Sequence, residues 1–202
     1  MSGSGARRPV AGAGLAGLLL FPGAGADRDQ SALVAIDTAV GALGVRVERC
    51  DFPYRQAGRR APDRPPVLVA TVVEQTTALA RTLGVPAGRI GLGGRSMGGR
   101  ICSMAVAEGL ATEALVLVSY PLHPPGRPDR LRTEHFGDIT VPCLFVSGTR
   151  DAFGTPDELE QATSAIAGPV TYHWIDRGDH GLRNRDVEVA EVVAAWVATV
   201  RT

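Results

Sequence analysis

Short apolar runs alternate along this chain with longer segments whose apolar residues recur at helical spacing. Six runs have the length and flanking turns of buried strands, at 16–21, 45–51, 90–93, 114–119, 141–147 and 170–175. Helical patterns span 30–43, 67–83, 97–109, 156–167 and 187–200. Because strands joined by helices of this length run parallel, the alternation predicts an α/β fold with about six mainly parallel strands and helices on both faces.

The chain length of 202 residues predicts one domain over 1–202. Two stretches have no helical or strand pattern, the Arg- and Pro-rich segment 53–66 and the polar segment 121–138. Neither segment is large enough to form a lid domain. Of the two, only 121–138 is expected to cover the ligand site. In a sheet of this kind the ligand site lies beyond the carboxyl ends of the strands, so we look for chemistry directly after the apolar runs.

Charge composition excludes several functions. Acidic and basic residues number 21 each, which predicts neither nucleic-acid nor membrane binding. All basic residues except the histidines are arginine, so a Ser–Lys dyad, a Schiff-base lysine and a P-loop lysine are excluded. Cys50, Cys102 and Cys143 are far apart without metal spacing, and we expect no metal, no cofactor and a reducing, cytoplasmic location.

The N-terminal region resembles two unrelated signals. Arg7 and Arg8 before a Gly/Ala/Leu run are typical of a secretion signal, but cleavage there would remove a loop that we assign to the active site. Residues 12–17 match the dinucleotide fingerprint G-x-G-x-x-G, with Asp37 twenty residues further on. That fingerprint must follow a strand and open a helix, whereas here a strand follows it, so we reject both interpretations.

Gly94-Arg95-Ser96-Met97-Gly98 matches the nucleophile-elbow pattern G-x-S-x-G. The segment lies between a predicted strand and a predicted helix, which is the context that the pattern requires. A sharp turn of this kind lifts the serine hydroxyl above the sheet, and it needs neighbours without side chains two residues away on either side. We therefore predict Ser96 as a nucleophile, with the helix N-terminus beneath it.

The partners of a serine nucleophile follow in the order acid, then histidine, in this class of fold. Asp151 comes just after the strand at 141–147, and His180 comes after the last strand, before the last helix. Asp176 and Asp179 are alternative acids. The expected roles are nucleophile for Ser96, general base for His180 and orienting carboxylate for Asp151.

The predicted surroundings of the nucleophile come from several loops. Backbone N–H groups of Met97 and of Ala24 or Gly25 are expected to form an oxyanion hole, since the small residues after the first strand let substrate approach the backbone. The pocket, which we expect to be small and fairly open, is predicted to include five other residues: Pro22, Tyr120, His123, Phe153 and Leu182.

Three segments carry a resemblance to a known family: 93–100 around Ser96, Tyr-Pro-Leu-His-Pro-Pro-Gly at 120–126, and 146–151 ending at Asp151. Over about 18–196 the chain resembles the small α/β-hydrolase-like family of bacterial predicted hydrolases, testis-expressed proteins and a nuclear chromatin-complex subunit, and more distantly the dienelactone hydrolases. The resemblance implies an α/β-hydrolase fold and a triad. Such proteins usually have His where this chain has Pro22, and dienelactone hydrolases have Cys where it has Ser96.

These observations predict a serine hydrolase that cleaves a small acyl ester or a related activated carbonyl through an acyl-enzyme. The partner would be a small-molecule acyl substrate. The alternative is a non-catalytic interaction module that retains the hydrolase fold, since some members of the resembled family are subunits of complexes. A third possibility is haloperoxidase or lyase chemistry on the same three residues.

Overall fold

The computed structural model describes residues 14–200, and these form one six-stranded sheet flanked by helices. The strands are β1 Gly17–Phe21, β2 Arg46–Arg49, β3 Ile90–Arg95, β4 Leu115–Val118, β5 Cys143–Gly148 and β6 Val170–Ile175. The helices are α1 Ser31–Gly41, α2 Pro53–Gln56, α3 Pro65–Leu83, α4 Met97–Ala107, α5 Pro156–Thr163 and α6 Asp186–Val200. Single 3₁₀ turns occur at Ala87–Arg89 and Phe136–Asp138.

The strand order is β2-β1-β3-β4-β5-β6, and every neighbouring pair is parallel. The prediction of about six parallel strands is therefore confirmed. The prediction works because a strand that is covered on both faces needs apolar residues at successive positions. Such a strand appears in the sequence as a continuous apolar run. The central strands β1, β4 and β5 are buried at every position.

Side chains of each strand alternate between two apolar clusters, one on each face of the sheet. Leu19 and Phe21 of β1 belong to the cluster that also receives α3, α4 and α5, whereas Leu18 and Leu20 belong to the cluster that receives α1 and α6. Helices therefore cover both faces, as predicted. None of the helices within residues 14–200 is both long and apolar enough to cross a bilayer.

Several element bounds differ from the sequence predictions, and α5 ends at Thr163 instead of 167. The segment expected to be irregular at 53–66 contains the short helix α2, which begins at Pro53 because proline is well suited to the first helical position. Helix α1 ends at Gly41, earlier than predicted, and Gly44 follows with φ of 78°. The paired arginines and the first two residues of the possible dinucleotide fingerprint, at 12 and 13, lie outside the described residues. Where it is described, Gly17 begins a strand.

Candidate active site

Ser96 lies at the sharp turn between β3 and α4, in a strained backbone conformation with φ of 50° and ψ of −116°. Its N–H donates to the Val118 carbonyl at 2.8 Å, which ties the turn to the end of β4. A non-glycine residue with positive φ is uncommon and persists only where surrounding contacts determine it. The chain therefore holds this serine at the carboxyl edge of the sheet, above the first turn of α4.

The glycines on either side of Ser96 are required by close backbone approach. A Cβ added at Gly94 would lie 2.2 Å from the Phe21 carbonyl oxygen, and one added at Gly98 would lie 2.1 Å from the same atom. Real Cβ atoms do not approach a backbone oxygen so closely. The end of β1 can pack against the elbow only because both positions lack side chains.

Asp151 and His180 reach Ser96 from the ends of two other strands. His180 follows β6, and its Nε2 lies 2.9 Å from Ser96 Oγ. Its Nδ1 lies 2.8 Å from Asp151 Oδ2 and 3.0 Å from Oδ1. Because an ionised carboxylate only accepts hydrogen bonds, the proton sits on Nδ1, and Nε2 is left to accept the Ser96 hydroxyl proton.

Asp151 is buried, with 2% of its surface exposed, and its carboxylate is fully engaged. Besides His180, Oδ1 accepts a hydrogen bond from the Phe153 N–H at 2.8 Å. The alternative acids face elsewhere. Asp176 pairs with Arg177 on the surface, and Asp179 Oδ1 accepts from the Leu182 N–H at 3.0 Å.

Arg95 holds the loop that carries His180. The Arg95 guanidinium donates to the His180 carbonyl oxygen at 2.6 Å. Burial lowers the pKa of Arg95, while the nearby carboxylates of Asp186, Asp151 and Asp179 oppose this shift. The second residue of the elbow motif thus connects the serine turn to the histidine loop.

Two backbone N–H groups near Ser96 make no hydrogen bond to the described part of the chain. Within residues 14–200, neither Met97 N–H nor Ala24 N–H has an acceptor in the protein. Met97 is the first residue of α4, where helix geometry leaves N–H groups without internal partners. Gly25, the other predicted donor, differs because its N–H donates to Tyr54 Oη at 3.3 Å. Ala24 and Met97 are therefore the available pair.

An open cavity of about 480 Å³ lies over these groups. Of the five predicted pocket residues, only Phe153 lines it. Its other lining residues are Gly23, Ala24, Gln30, Arg95, Ser96, Met97, Arg100, Pro121, Arg132 and His180. Sequence reasoning missed Gly23, Gln30, Pro121 and the three arginines. Arg100 could have been inferred, because it lies about one helical turn after Ser96 at the start of a predicted helix.

Four predicted pocket residues are buried away from the cavity, and this corrects their assignment. Tyr120 packs against Phe136 and Phe145 and donates to the Arg132 carbonyl oxygen. His123 faces Glu158 of α5, and Pro22 is buried beneath the elbow. Leu182 belongs to the apolar cluster on the α1/α6 face. In each case the chain turns the side chain away from the cavity.

No group of three or more His, Cys, Asp or Glu side chains within 14–200 is arranged to hold a metal ion. The three cysteines are buried as free thiols. Burial raises the pKa of Cys50 and of Cys143 to about 12, and it raises the pKa of Cys102 as well. These thiols are therefore protonated near neutral pH.

A family model described as an alpha/beta hydrolase domain matches residues 15–201. The chain belongs to this alpha/beta hydrolase family. Its sheet, with the carboxyl ends of β3, β5 and β6 converging on one cavity, is the alpha/beta hydrolase fold that the sequence predicted. Within 14–200 no insertion forms a lid domain over the cavity.

Solved structures of similar fold include other hydrolases. An alpha-beta serine hydrolase homologue from Coxiella burnetii has 17% identity and a TM-score of 0.72, covering 92% of this chain and 86% of that one. A dienelactone hydrolase from Anabaena variabilis has 19% identity and a TM-score of 0.71, covering 94% and 88%. The esterase domain of a Rhodothermus marinus protein has 17% identity and a TM-score of 0.71, covering 96% and 91%. At these identities the likeness concerns the fold.

Proposed function

We propose that this alpha/beta hydrolase is a serine hydrolase that cleaves a small acyl ester, or a related activated carbonyl, through a covalent acyl-enzyme. The observation that carries the proposal is the hydrogen-bonded series from Ser96 Oγ to His180 Nε2, at 2.9 Å, and from His180 Nδ1 to Asp151, at 2.8 Å. Both distances are within the reach that nucleophile activation needs.

The first half of the reaction forms the acyl-enzyme. Ser96 Oγ attacks the acyl carbon while His180 Nε2 takes the hydroxyl proton, and Asp151 stabilises the imidazolium that results. The N–H groups of Met97 and Ala24 are the donors for the negative oxygen of the tetrahedral intermediate. His180 then gives its proton to the leaving alkoxide, the acyl C–O bond breaks and the alcohol departs.

The second half repeats these steps with water. His180 takes a proton from a water molecule, whose oxygen attacks the acyl carbon of the acyl-enzyme. Collapse of the intermediate breaks the bond to Ser96 Oγ, which regains its proton from His180, and the carboxylic acid leaves. No redox step or external group is needed.

If the chain were a non-catalytic interaction module, we would expect a blocked site with His180 away from Ser96. Here His180 is hydrogen-bonded to Ser96, and both line an open cavity. These contacts support the enzyme. Three buried free cysteines also support the prediction of a reducing, cytoplasmic compartment.

The test is covalent labelling by a fluorophosphonate probe together with turnover of p-nitrophenyl acetate. We expect wild type to be active in both assays and Ser96→Ala to be inactive in both. Ser164→Ala is the matched control, because Ser164 is exposed at the end of α5 and its loss should change neither signal. Equal behaviour of wild type and Ser96→Ala would show that Ser96 is not the nucleophile. Halogenation or lyase products without ester turnover would indicate the third possibility.

A further inference from the structure

Two arginines line the cavity beside Ser96 without a carboxylate partner. Arg100 lies in the first turn of α4, and Arg132 comes from the loop between β4 and β5. Within residues 14–200 neither guanidinium forms an ion pair. Among the described residues, the Arg132 guanidinium donates only to the Pro121 carbonyl oxygen, at a long 3.4 Å. Both side chains are therefore available to a ligand in the cavity.

Arg100 is placed where a cation is unfavourable. Its Nε atom is buried and, within the described residues, has no hydrogen-bond partner. It also lies near the N-terminus of α4, where the helix dipole favours negative charge. A buried donor without an acceptor costs free energy, and more so when it is charged. An anion in the cavity would offset the positive charge of Arg100 at this position.

The positive charge of Arg100 also changes the pKa of a neighbouring group. Burial lowers the pKa of Arg132, and repulsion from Arg100 lowers it further. By contrast, the third arginine of the cavity, Arg95, donates to the His180 carbonyl and has three carboxylates nearby. Excess positive charge is therefore confined to the side of the cavity formed by Arg100 and Arg132.

We propose that Arg100 and Arg132 form a carboxylate-binding subsite, and that the chain acts on acyl esters that carry a carboxylate. This inference rests on the proposed function, since it names the substrate class of the same site. Guanidinium groups present paired N–H donors that match the two oxygens of a carboxylate. The bound carboxylate takes no part in the reaction: only the acyl C–O bond breaks, and water supplies the new hydroxyl.

The test compares charged esters with neutral esters of the same shape. For a carboxylate on the acyl side, the pair is mono-p-nitrophenyl adipate and p-nitrophenyl methyl adipate. For a carboxylate on the leaving group, it is 4-acetoxybenzoate and methyl 4-acetoxybenzoate. We expect wild type to favour the charged member of at least one pair by about tenfold or more in kcat/KM, as loss of a charge-assisted hydrogen bond implies.

Variants then assign this preference to the two arginines. Arg100→Gln and Arg132→Gln should each lower the ratio of kcat/KM for the favoured charged ester to kcat/KM for its neutral partner by about 10- to 100-fold. Arg130→Gln is the matched control, because Arg130 is exposed in the same loop. Arg132→Gln should fold, since the hydrogen bonds of Arg132 with Leu122 and Tyr120 use its backbone.

Binding without turnover gives a second measurement. Calorimetric titration of Ser96→Ala with monomethyl adipate should detect binding that the added Arg100→Gln and Arg132→Gln changes abolish. If Ser96-dependent hydrolysis occurs without preference for charge in either pair, or with a preference that survives both substitutions, the subsite is wrong and the proposed function stands. If no ester is hydrolysed, the proposed function fails, and the titration alone decides whether the arginines bind a carboxylate.

Discussion

The Phe153 ring lies nearly parallel to the His180 imidazole, with ring centroids 3.9 Å apart and planes inclined by 28°. The N–H of the same phenylalanine donates to Asp151 Oδ1. Phe153 therefore contacts both the acid and the base of the proposed triad, through its backbone on one side and its ring on the other. It also lines the cavity. The same side chain therefore forms part of the cavity wall and supports the His180 ring.

Replacement of Phe153 by Ala should lower kcat for p-nitrophenyl acetate by about tenfold, because an aromatic contact contributes about 1 kcal/mol and a displaced base reacts more slowly. The backbone bond to Asp151 is retained in this variant. Phe153→Leu, which keeps bulk without the flat ring, should lie between Ala and wild type. Steady-state kinetics with a thermal unfolding curve for each variant checks the prediction. An unchanged kcat in Phe153→Ala would contradict the supporting role.

Asp151→Asn should lower kcat by about 10³- to 10⁴-fold while leaving the fold intact. The asparagine oxygen can still accept from the Phe153 N–H, but its amide then faces His180 Nδ1 as a donor. Nδ1 must accept, so the proton moves to Nε2, which can no longer take the Ser96 proton. The measurement is the rate of ester turnover and of fluorophosphonate labelling.

Asp176→Asn serves as the matched control for this change, because Asp176 is exposed and, among residues 14–200, its carboxylate pairs only with Arg177. We expect wild-type rates from it. Full activity in Asp151→Asn, or loss of activity in Asp176→Asn, would move the role of the acid away from Asp151.

Gly98→Ala should destabilise the protein by about 1–3 kcal/mol or more and remove activity, because the new methyl group would meet the Phe21 carbonyl at 2.1 Å. Urea unfolding monitored by tryptophan fluorescence gives the free energy of unfolding. Gly137→Ala is a suitable control, since a Cβ at this exposed glycine meets nothing within 4 Å. Equal stability of Gly98→Ala and wild type would show that the contact at the elbow can relax.

His135 predicts a pH dependence of stability. Burial, and then repulsion from Arg100, lower its pKa from 6.5 to about 4. Between about pH 6.5 and pH 4, His135 is therefore protonated in the unfolded chain but not in the folded chain. The free energy of unfolding falls as the pH drops through this range. Since the ring is partly exposed, we expect a contribution of about 1–2 kcal/mol.

His135→Gln tests this contribution, because glutamine can still hydrogen-bond to Ser103 Oγ, which lies 2.8 Å from His135 Nε2. Urea unfolding at pH 7 and at pH 4.5 should show a smaller loss of stability in the variant than in wild type. Equal losses in the two proteins would mean that His135 is readily protonated in the folded state.

The sheet could be predicted because its strands are covered on both faces. Runs such as Leu18–Phe21 and Leu115–Val118 are continuously apolar, and parallel connections place their carboxyl ends on one edge. Ser96, Asp151 and His180 all follow such strands, so their proximity could be expected from chain order alone. The short helix α2 was missed, since four residues are too few to show helical periodicity.

The part of the cavity lining that comes from the loop after β4 could not be predicted, because it depends on the path of that loop. Tyr120 and His123 belong to the motif that carried the family resemblance, yet both are buried. Arg132 has no motif around it. Its N–H donates to the Leu122 carbonyl and its carbonyl accepts from the Tyr120 hydroxyl, and these bonds hold it beside the cavity. Sequence spacing carries no information about such a long-range return of the loop.

The hydrogen bond from Arg95 to the His180 carbonyl has a consequence for motion at the site. Arg95 is the residue directly before Ser96, so the loop that carries the base is attached to the segment that carries the nucleophile. A displacement of the histidine loop away from the serine turn would have to break this contact. The bond therefore restrains the separation of Ser96 and His180 during the entry of substrate and the release of product.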